Sequence, residues 1–523
     1  MNATTTTAAI APATSAGLHP AVVVALAGSF VANLTAQFAG TNLADIQGSL
    51  GASADEAWIS TVYTMAAVVA AIASPVLMRT LGLRRYFVGS AALFAVAAWL
   101  SAMSTSLPTL LVLRAMQGLA GGAFGPMAFG AVFVLGRGPR LPLGVAWLAF
   151  ALLVSVNAGP ALSGPLEAAF GWRGLFVAQM WAAVVLLLAA LRWMPAAPFN
   201  RDGLVTDWAA VAMLAAAAAA LMLVLSQGTR RFWLDNDTVA WALTLGIGAA
   251  VGFAVLHRIS PVRIIRVSKL LERGFGLPIL LNLIFRASFA ATVYLIPLQL
   301  ALTQSYRPLE IAHALWWCLL PQVATFPLAW SLMHRVDGRL VMGTGLLLAG
   351  AAIALASFAT DADASDQLRA SLALLGVGQM LFLVPTLLIG ALPLKPEDAP
   401  TGTIAFNVTT LGGTTLGIGL TSHFTVEREK LHSSTLVDHV SWLNPLSGER
   451  IASQAGAWSA RLGEDLAGNA AVGQLAAAAR RQAWTLAIND AYALIAAMLV
   501  VAIVGVVLIG RSPPLPRPSG DAP

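Results

Sequence analysis

The stretch Leu107–Pro126, LPTLLVLRAMQGLAGGAFGP, places an arginine and a glutamine inside an apolar run that continues to Leu135. A run of this length spans a hydrocarbon core about 30 Å thick. A charge at such depth costs roughly 3 kcal/mol or more unless it faces protein or water, so Arg114 must point away from lipid. Gly118, Gly121, Gly122 and Gly125 lack the side chains that would hold a neighbouring helix at a distance. The stretch therefore reads as a membrane helix with a polar inner face.

The rest of the chain repeats the pattern. Of 523 residues 58% are hydrophobic and 10% charged, against about 25% charged in an average soluble domain. Apolar segments predict fourteen spans: 21 to 43, 57 to 80, 86 to 103, 107 to 135, 141 to 165, 174 to 192, 206 to 226, 238 to 256, 275 to 303, 309 to 333, 339 to 359, 367 to 391, 401 to 423 and 487 to 510. With the N-terminus inside, seventeen of the thirty Lys and Arg fall on the cytoplasmic side, including Arg84, Arg85, Arg137, Arg258, Arg263, Arg266 and Lys269. The short loops on the other side hold only Arg173, Arg230, Arg231, Arg307 and Arg369. This asymmetry predicts both termini in the cytoplasm.

The net charge of +6 is thus a matter of topology, since the basic residues form no cluster for nucleic acid. Residues 1–20 are rich in Thr and Ala and have no Lys or Arg, so they read as a disordered cytoplasmic tail without the charged start of a signal peptide. The single cysteine, Cys318, excludes a disulfide framework and a cysteine-rich metal site. With three lysines and no Gly-Lys pair there is no phosphate-binding loop. HExxH and GxSxG are missing too. The expectation is a protein that is not an enzyme and needs no metal or cofactor.

In the fifth span Asn157-Ala158-Gly159-Pro160, followed by Gly164-Pro165, predicts a kink or hinge, because proline removes a backbone donor and crowds the preceding turn. Leu77 to Arg84 after span two echoes Leu332 to Arg339 after span ten, which implies two related halves. The expected organisation is a six-helix bundle at 21–192, an inserted helix pair at 206–256 and a second six-helix bundle at 275–510. An outer loop at 424–486 interrupts the second bundle, and a cytoplasmic tail follows at 511–523.

Phe38 to Trp58, Arg79 to Arg85, Arg114 to Pro126, Gly159 to Phe176 and Phe406 to Gly419 together resemble the signature motifs of the fourteen-helix drug:proton antiporter family of the major facilitator superfamily. The likeness is greatest to EmrB-type exporters and covers nearly the whole chain. It implies an all-α major facilitator fold of two six-helix bundles plus an inserted pair. It further implies proton-driven efflux by alternating access around a cavity lined by spans one, four, nine and twelve. In three places the chain departs from the family. The family's aspartate in the first span falls on Thr35, the arginine of the thirteenth on Thr410, and the acidic residue after the second near Arg79.

Polar residues on the presumed cavity spans, Asn33, Gln37, Gln117, Asn282, Arg286, Gln299 and Gln379, are the candidates for substrate contact. Asn33 and Gln37, and likewise Asn282 and Arg286, are four apart and share a helix face. Interhelical hydrogen bonding is the alternative for each. Arg114 is a proton-coupling candidate by resemblance. Asp45 at the outer end of the first span is another, with a solvated interface residue as the alternative. His313 is the third, because imidazole titrates near neutral pH; the alternative is a structural histidine. Gly159, Pro160 and Gly164 are the conformational candidates.

The stretch Thr425 to Leu486 is long for an unstructured connection. Glu427 to His432 prolongs the thirteenth helix, with Arg428 and His432 four apart, and Leu475 to Asn489 reads as an Ala-rich helix. The segment resembles the outer loop of EmrB, including the Arg-x-x-x-His spacing. The resemblance implies a periplasmic adaptor of the membrane-fusion class and an outer-membrane channel as partners, docked at Arg428 and His432, and hence the bacterial inner membrane. Two deep arginines and no deep carboxylate point to anionic or neutral aromatic substrates, their apolar bodies against residues such as Phe285, Tyr294 and Trp316. A sensor or scaffold that binds ligand without moving it is the second class, and ligand counterflow separates the two.

Overall fold

The computed structural model describes residues 17–41, 43–50, 57–136, 140–439 and 445–516. Most of both predicted tails, together with Asp55, Glu56 and Arg137, lies outside the described residues. Among those described, all regular structure is helical, and the exposure pattern is that of a protein in hydrocarbon. Trp181, Trp241, Leu245 and Val507 are each at least 60% exposed, whereas Arg114, Gln117, Asn282, Arg286, Gln299 and Gln379 are completely buried. Lipid solvates apolar side chains as well as any core does, so the polar residues gather inside.

The first group of helices comprises α1 (Pro20–Thr41), α2 (Leu43–Leu50), α3 (Trp58–Leu81), α4 (Leu83–Ala102), α5 (Leu107–Leu135) and α6 (Leu141–Trp193). Ser106 caps α5, accepting from the Thr109 amide, with Pro108 in the first turn. Packing of α3 on α5 is backbone-close: a Cβ on Gly118 would lie 2.3 Å from the Tyr63 carbonyl oxygen, and one on Gly122 2.2 Å from that of Ala67. The fifth and sixth predicted spans form α6, divided at Gly171, whose φ of 66° and ψ of 172° suit glycine alone.

Asp45 lies on α2, just beyond α1. Ile46 buries α2 against Ile59, Leu110, Trp172 and Phe176.

Next come α7 (Trp208–Gln227) and α8 (Asp237–Ile259), which pack on each other, with α7 also against α3. Then follow the short α9 (Val267–Leu270), α10 (Arg273–Ala287) and α11 (Ile296–Gln304), then α12 (Pro308–Met333), α13 (Gly338–Ala356), α14 (Arg369–Ala391), α15 (Ala399–His439), α16 (Pro445–Leu462) and α17 (Glu464–Leu508). The ninth span is not one α-helix, because a π-helical turn, Ala291–Leu295, joins α10 to α11. In the second group α14 packs on α12 and α13, α15 on α10, and α17 on α13 and α15.

Twelve helical segments among the described residues are long and apolar enough to cross a membrane. One of them is α6, which holds two predicted spans, and α15 is not among the twelve because it is rich in Thr and Gly. Fourteen spans fit this inventory. The sequence echo also falls at matching places. Gly82 (φ 79°) separates α3 from α4, and Asp337 caps α13 while pairing with Arg339 at 3.0 Å.

The two groups touch at both membrane faces. Trp147 and Phe150 of α6 meet Phe326 of α12, with ring centroids 4.8 and 4.9 Å apart, on the face where α17 ends. Phe129 of α5 meets Phe406 of α15 at 5.6 Å on that same face. On the opposite face Gly164 of α6 is pressed against Pro308, Leu309 and Ala312 of α12. Between the groups a cavity of about 30 Å³ remains, bordered by Asn33, Tyr63, Gly125, Leu152, Asn407 and Thr410. That holds one or two waters.

Candidate functional site

Two polar clusters are buried in the helices. In the first, Arg114 donates from Nη1 to Gln117 Oε1 (2.9 Å) and from Nε to the Ile59 carbonyl (3.4 Å). Its guanidinium lies 4.3 Å above the Tyr63 ring, and Gln117 Nε2 donates to Gln179 Oε1 (3.2 Å). Among the described residues no carboxylate balances this cation, and Nη2 has no partner.

The second cluster lies where the groups meet. Asn157 of α6 donates to Gln379 Oε1 of α14 (2.8 Å) and accepts from the Thr292 hydroxyl in the π-turn (2.9 Å). Gln322 of α12 also donates to Gln379 Oε1 (2.8 Å). Gln379 Nε2 and Gln322 Oε1, a donor and an acceptor, are left buried without partners. Arg286 of α10 spans the same interface, donating from Nη1 to the Leu152 carbonyl of α6 (3.4 Å), while its Nε and Nη2 have no partner. Beneath it lies the Phe289 ring, 5.2 Å from the guanidinium carbon. Asn282, one turn away, donates to Thr409 of α15 (3.1 Å), and its Oδ1 has no partner. Unmatched guanidinium donors with amide groups of both kinds nearby can receive a molecule with an anionic or polar head.

The other sequence candidates are scattered. Asn33 is half-buried beside the small cavity and bonds back to the Ser29 carbonyl (2.8 Å). Gln37 is half-buried, its Cβ lying 2.5 Å from where a Cβ on Gly159 would sit. Gln299 instead accepts from Tyr492 of α17 (3.1 Å). His313 is exposed on α12, apart from every buried cluster. The carboxyl groups of Asp45 and Glu167 are neighbours at the outer end of the first half of α6. Pro160 is buried within α6, on the helix that bridges the groups. Of the expected apolar contacts Phe285 is buried against Phe382, with centroids 4.2 Å apart, and Tyr294 and Trp316 are half-buried.

Arg428 and His432 both meet Asp490 of α17, at 2.6 and 2.8 Å. They brace α15 against α17 within the chain. Sequence reasoning did not select Asn157, Thr292, Gln322, Gln179 or Glu167. Two of these left a signal: Asn157 stands two residues before Gly159-Pro160, and Gln322 lies one helical turn after Cys318. Thr292 left none, because a π-turn shifts the helix face.

Residues 25–278 match the family described as Major Facilitator Superfamily. The fold agrees over more of the chain. The crystal structure of the human organic anion transporter MFSD10 superposes with a TM-score of 0.57, covering 93% of this chain and 99% of that one at 13% identity. A proton-dependent oligopeptide transporter gives 0.55 at 16% identity, covering 94% and 98%. Curated relatives include the colistin resistance protein EmrB of Acinetobacter baumannii, 26% identical over 71% of this chain and 74% of its own length. The multidrug export protein EmrB of Escherichia coli K12 is 22% identical over 80% and 82%, and the fatty acid resistance protein FarB of Neisseria gonorrhoeae 23% over 76% and 78%.

A helical chain with its polar groups turned inward is a multi-pass membrane transporter; it has the major facilitator fold, and residues 25–278 are similar to that superfamily. Among curated proteins it is similar to EmrB-type multidrug exporters.

Proposed function

We propose that the chain is a drug-efflux transporter of the bacterial inner membrane, with both termini cytoplasmic, exporting amphipathic anionic or neutral aromatic molecules by proton-coupled alternating access. The observation that carries the substrate class is Arg286, completely buried between the two groups with two of its nitrogens unpartnered. Asp398, the one fully buried carboxylate among the described residues, is already paired with Arg266 at 3.1 Å. A cationic drug would meet fixed positive charge in low dielectric, while a carboxylate or phenolate meets ready donors. The relatives' names include both a fatty acid and colistin and so do not decide the charge.

The first span offers no carboxylate at Thr35, whose hydroxyl donates back to the Val31 and Ala32 carbonyls (2.8 and 3.3 Å). Asp45 and Glu167 supply the alternative. Two neighbouring carboxylates repel one another, so a proton held between them is favoured. Glu167 stands three residues beyond Gly164, so its charge is felt where α6 meets α12. In inside-out vesicles an imposed proton gradient should drive uptake of a weak aromatic acid. Glu167→Gln should lose most of that gradient dependence while retaining counterflow. Uptake that ignores the gradient in the parent would exclude coupling, and no counterflow at all would leave a ligand sensor.

The outer ends of α15 and α17, with α16, form a helical projection carrying exposed Leu431, Val437, Leu446 and Leu466. Apolar residues held in water suit a protein partner, and a periplasmic membrane-fusion adaptor leading to an outer-membrane channel is the proposed one. Since Asp490 occupies Arg428 and His432, the tip does the docking. Removing residues 433 to 474 is expected to abolish adaptor co-purification and cellular efflux while leaving counterflow in vesicles intact. Unchanged co-purification and efflux would refute docking there.

A further inference from the structure

On the face where α17 ends, a second cavity of about 440 Å³ opens among the helix ends of the second group. Its wall is apolar, formed by Met333, Leu388, Leu392 and Leu508, and Arg273 and Arg511 border it. The chain after α17 completes the enclosure as a strap held at three points. The Leu515 amide donates to the Met333 carbonyl (2.8 Å), the Gly338 amide donates to the Ser512 carbonyl (3.2 Å), and Arg339 donates to the Ile509 carbonyl (3.1 Å).

The two arginines differ from several other basic residues on this face. Arg266 pairs with Glu397 and Asp398, Lys269 with Glu272, and Arg339 with Asp337. Arg273 and Arg511 are exposed and make no side-chain hydrogen bond or ion pair with any described residue. The cavity therefore joins two unneutralised guanidinium groups to a hydrocarbon-lined wall, at the level where helix ends meet lipid headgroups. A molecule with an anionic phosphate head and an acyl chain satisfies both parts, because guanidinium pairs with phosphate through two parallel hydrogen bonds and the chain continues into the bilayer.

We infer that this cavity is a binding site for an acidic phospholipid, held by Arg273 and Arg511 with an acyl chain along Leu388, Leu392 and Leu508, which fastens the strap beneath α12 and α14. The site is separate from Arg286 and does not depend on what is exported. Only the choice of leaflet, the cytoplasmic one, rests on the orientation proposed above.

The test uses the full-length protein purified in a neutral detergent and exposed to phosphatidylglycerol, to phosphatidylcholine or to inorganic phosphate. Native mass spectrometry counts bound lipid, and thermal unfolding reports stabilisation. The parent should retain about one phosphatidylglycerol and unfold at a higher temperature with it than with phosphatidylcholine. At about 1 kcal/mol for each basic residue near an anionic lipid, the double variant Arg273→Gln with Arg511→Gln should bind tenfold or more weakly. The double lysine variant, which keeps both charges, should retain most of the binding and guards against a folding defect in the glutamine pair. Equal retention of the two lipids by the parent, or equal phosphatidylglycerol binding by parent and glutamine variant, overturns the proposal. Equal stabilisation by inorganic phosphate alone assigns the site to a free anion and overturns it as well.

Discussion

Arg286→Gln should cut export of a weak aromatic acid by about one to two orders of magnitude, because each hydrogen bond to a charged group contributes roughly 1.5–3 kcal/mol and each 1.4 kcal/mol is about a tenfold change. The guanidinium has two nitrogens to offer, Nε and Nη2, both buried and without partners. They are held in place by the Leu152 carbonyl, the Phe289 ring and close packing of α10 on α15. A Cβ on Gly413 would lie 2.8 Å from Arg286 Cβ.

Glutamine keeps much of the volume and removes the charge. Since an unpaired buried charge is a cost to folding, the variant is expected to unfold at the same temperature as the parent or higher. Arg286→Lys should be intermediate, keeping the charge without the planar pair of donors. The measurement is vesicle export of an aromatic acid beside a lipophilic cation. If the parent prefers the cation and Arg286→Gln exports it undiminished, the anionic assignment is wrong.

Gly164→Leu should nearly abolish turnover, by roughly 100-fold or more, while the protein still folds and inserts. A Cβ there would lie 2.5 Å from the Pro308 oxygen, 2.9 Å from Leu309 Cα and 2.9 Å from Ala312 Cβ. Two of these are backbone atoms, which cannot rotate aside as a flexible side chain would, so larger groups force α6 and α12 apart. This contact joins the two groups, and each group's own packing does not depend on it. The expected consequence is a transporter unable to close on the face that carries α16.

The single cysteine gives a readout. Cys318 lies buried on α12 within reach of Asn157, whose Nδ2 is 3.8 Å from Sγ. A water-soluble maleimide should scarcely label it in the parent and should label it readily in Gly164→Leu. Gly343→Leu is the control, because a Cβ there meets only Val506, at 3.9 Å. Low Cys318 labelling together with normal turnover in Gly164→Leu would remove α6–α12 contact as the gate.

The helix-turn echo shows how far pattern reading carries. Leu77 to Arg84 and Leu332 to Arg339 are similar in sequence and do form matching turns, yet their stabilising contacts differ. Arg79 donates to the Gly203 and Val205 carbonyls (3.0 and 3.3 Å), whereas Arg339 pairs with Asp337. The missing acidic residue near Arg79 was visible; what replaced it was not, because the replacement comes from residues more than a hundred positions away. Arg428 and His432 were legible as a pair on one helix face, but their partner Asp490 lies sixty-two and fifty-eight residues on.

The sequence by itself determined that the chain is a helical membrane protein, that its arginines at 114 and 286 must turn inward, and that Gly118 and Gly122 mark a close helix contact. Each follows from local terms: the cost of charge in hydrocarbon, the length of an apolar run, and the absence of a side chain. Only the tertiary structure decided which buried groups face one another. Asn157, Thr292, Gln322 and Gln379 come from four helices and form one network, and Asp45 meets Glu167 across more than a hundred residues. Their juxtaposition depends on helix crossing and on the π-turn that rotates Thr292 into place. These arise from packing between distant segments, which no single stretch of sequence encodes.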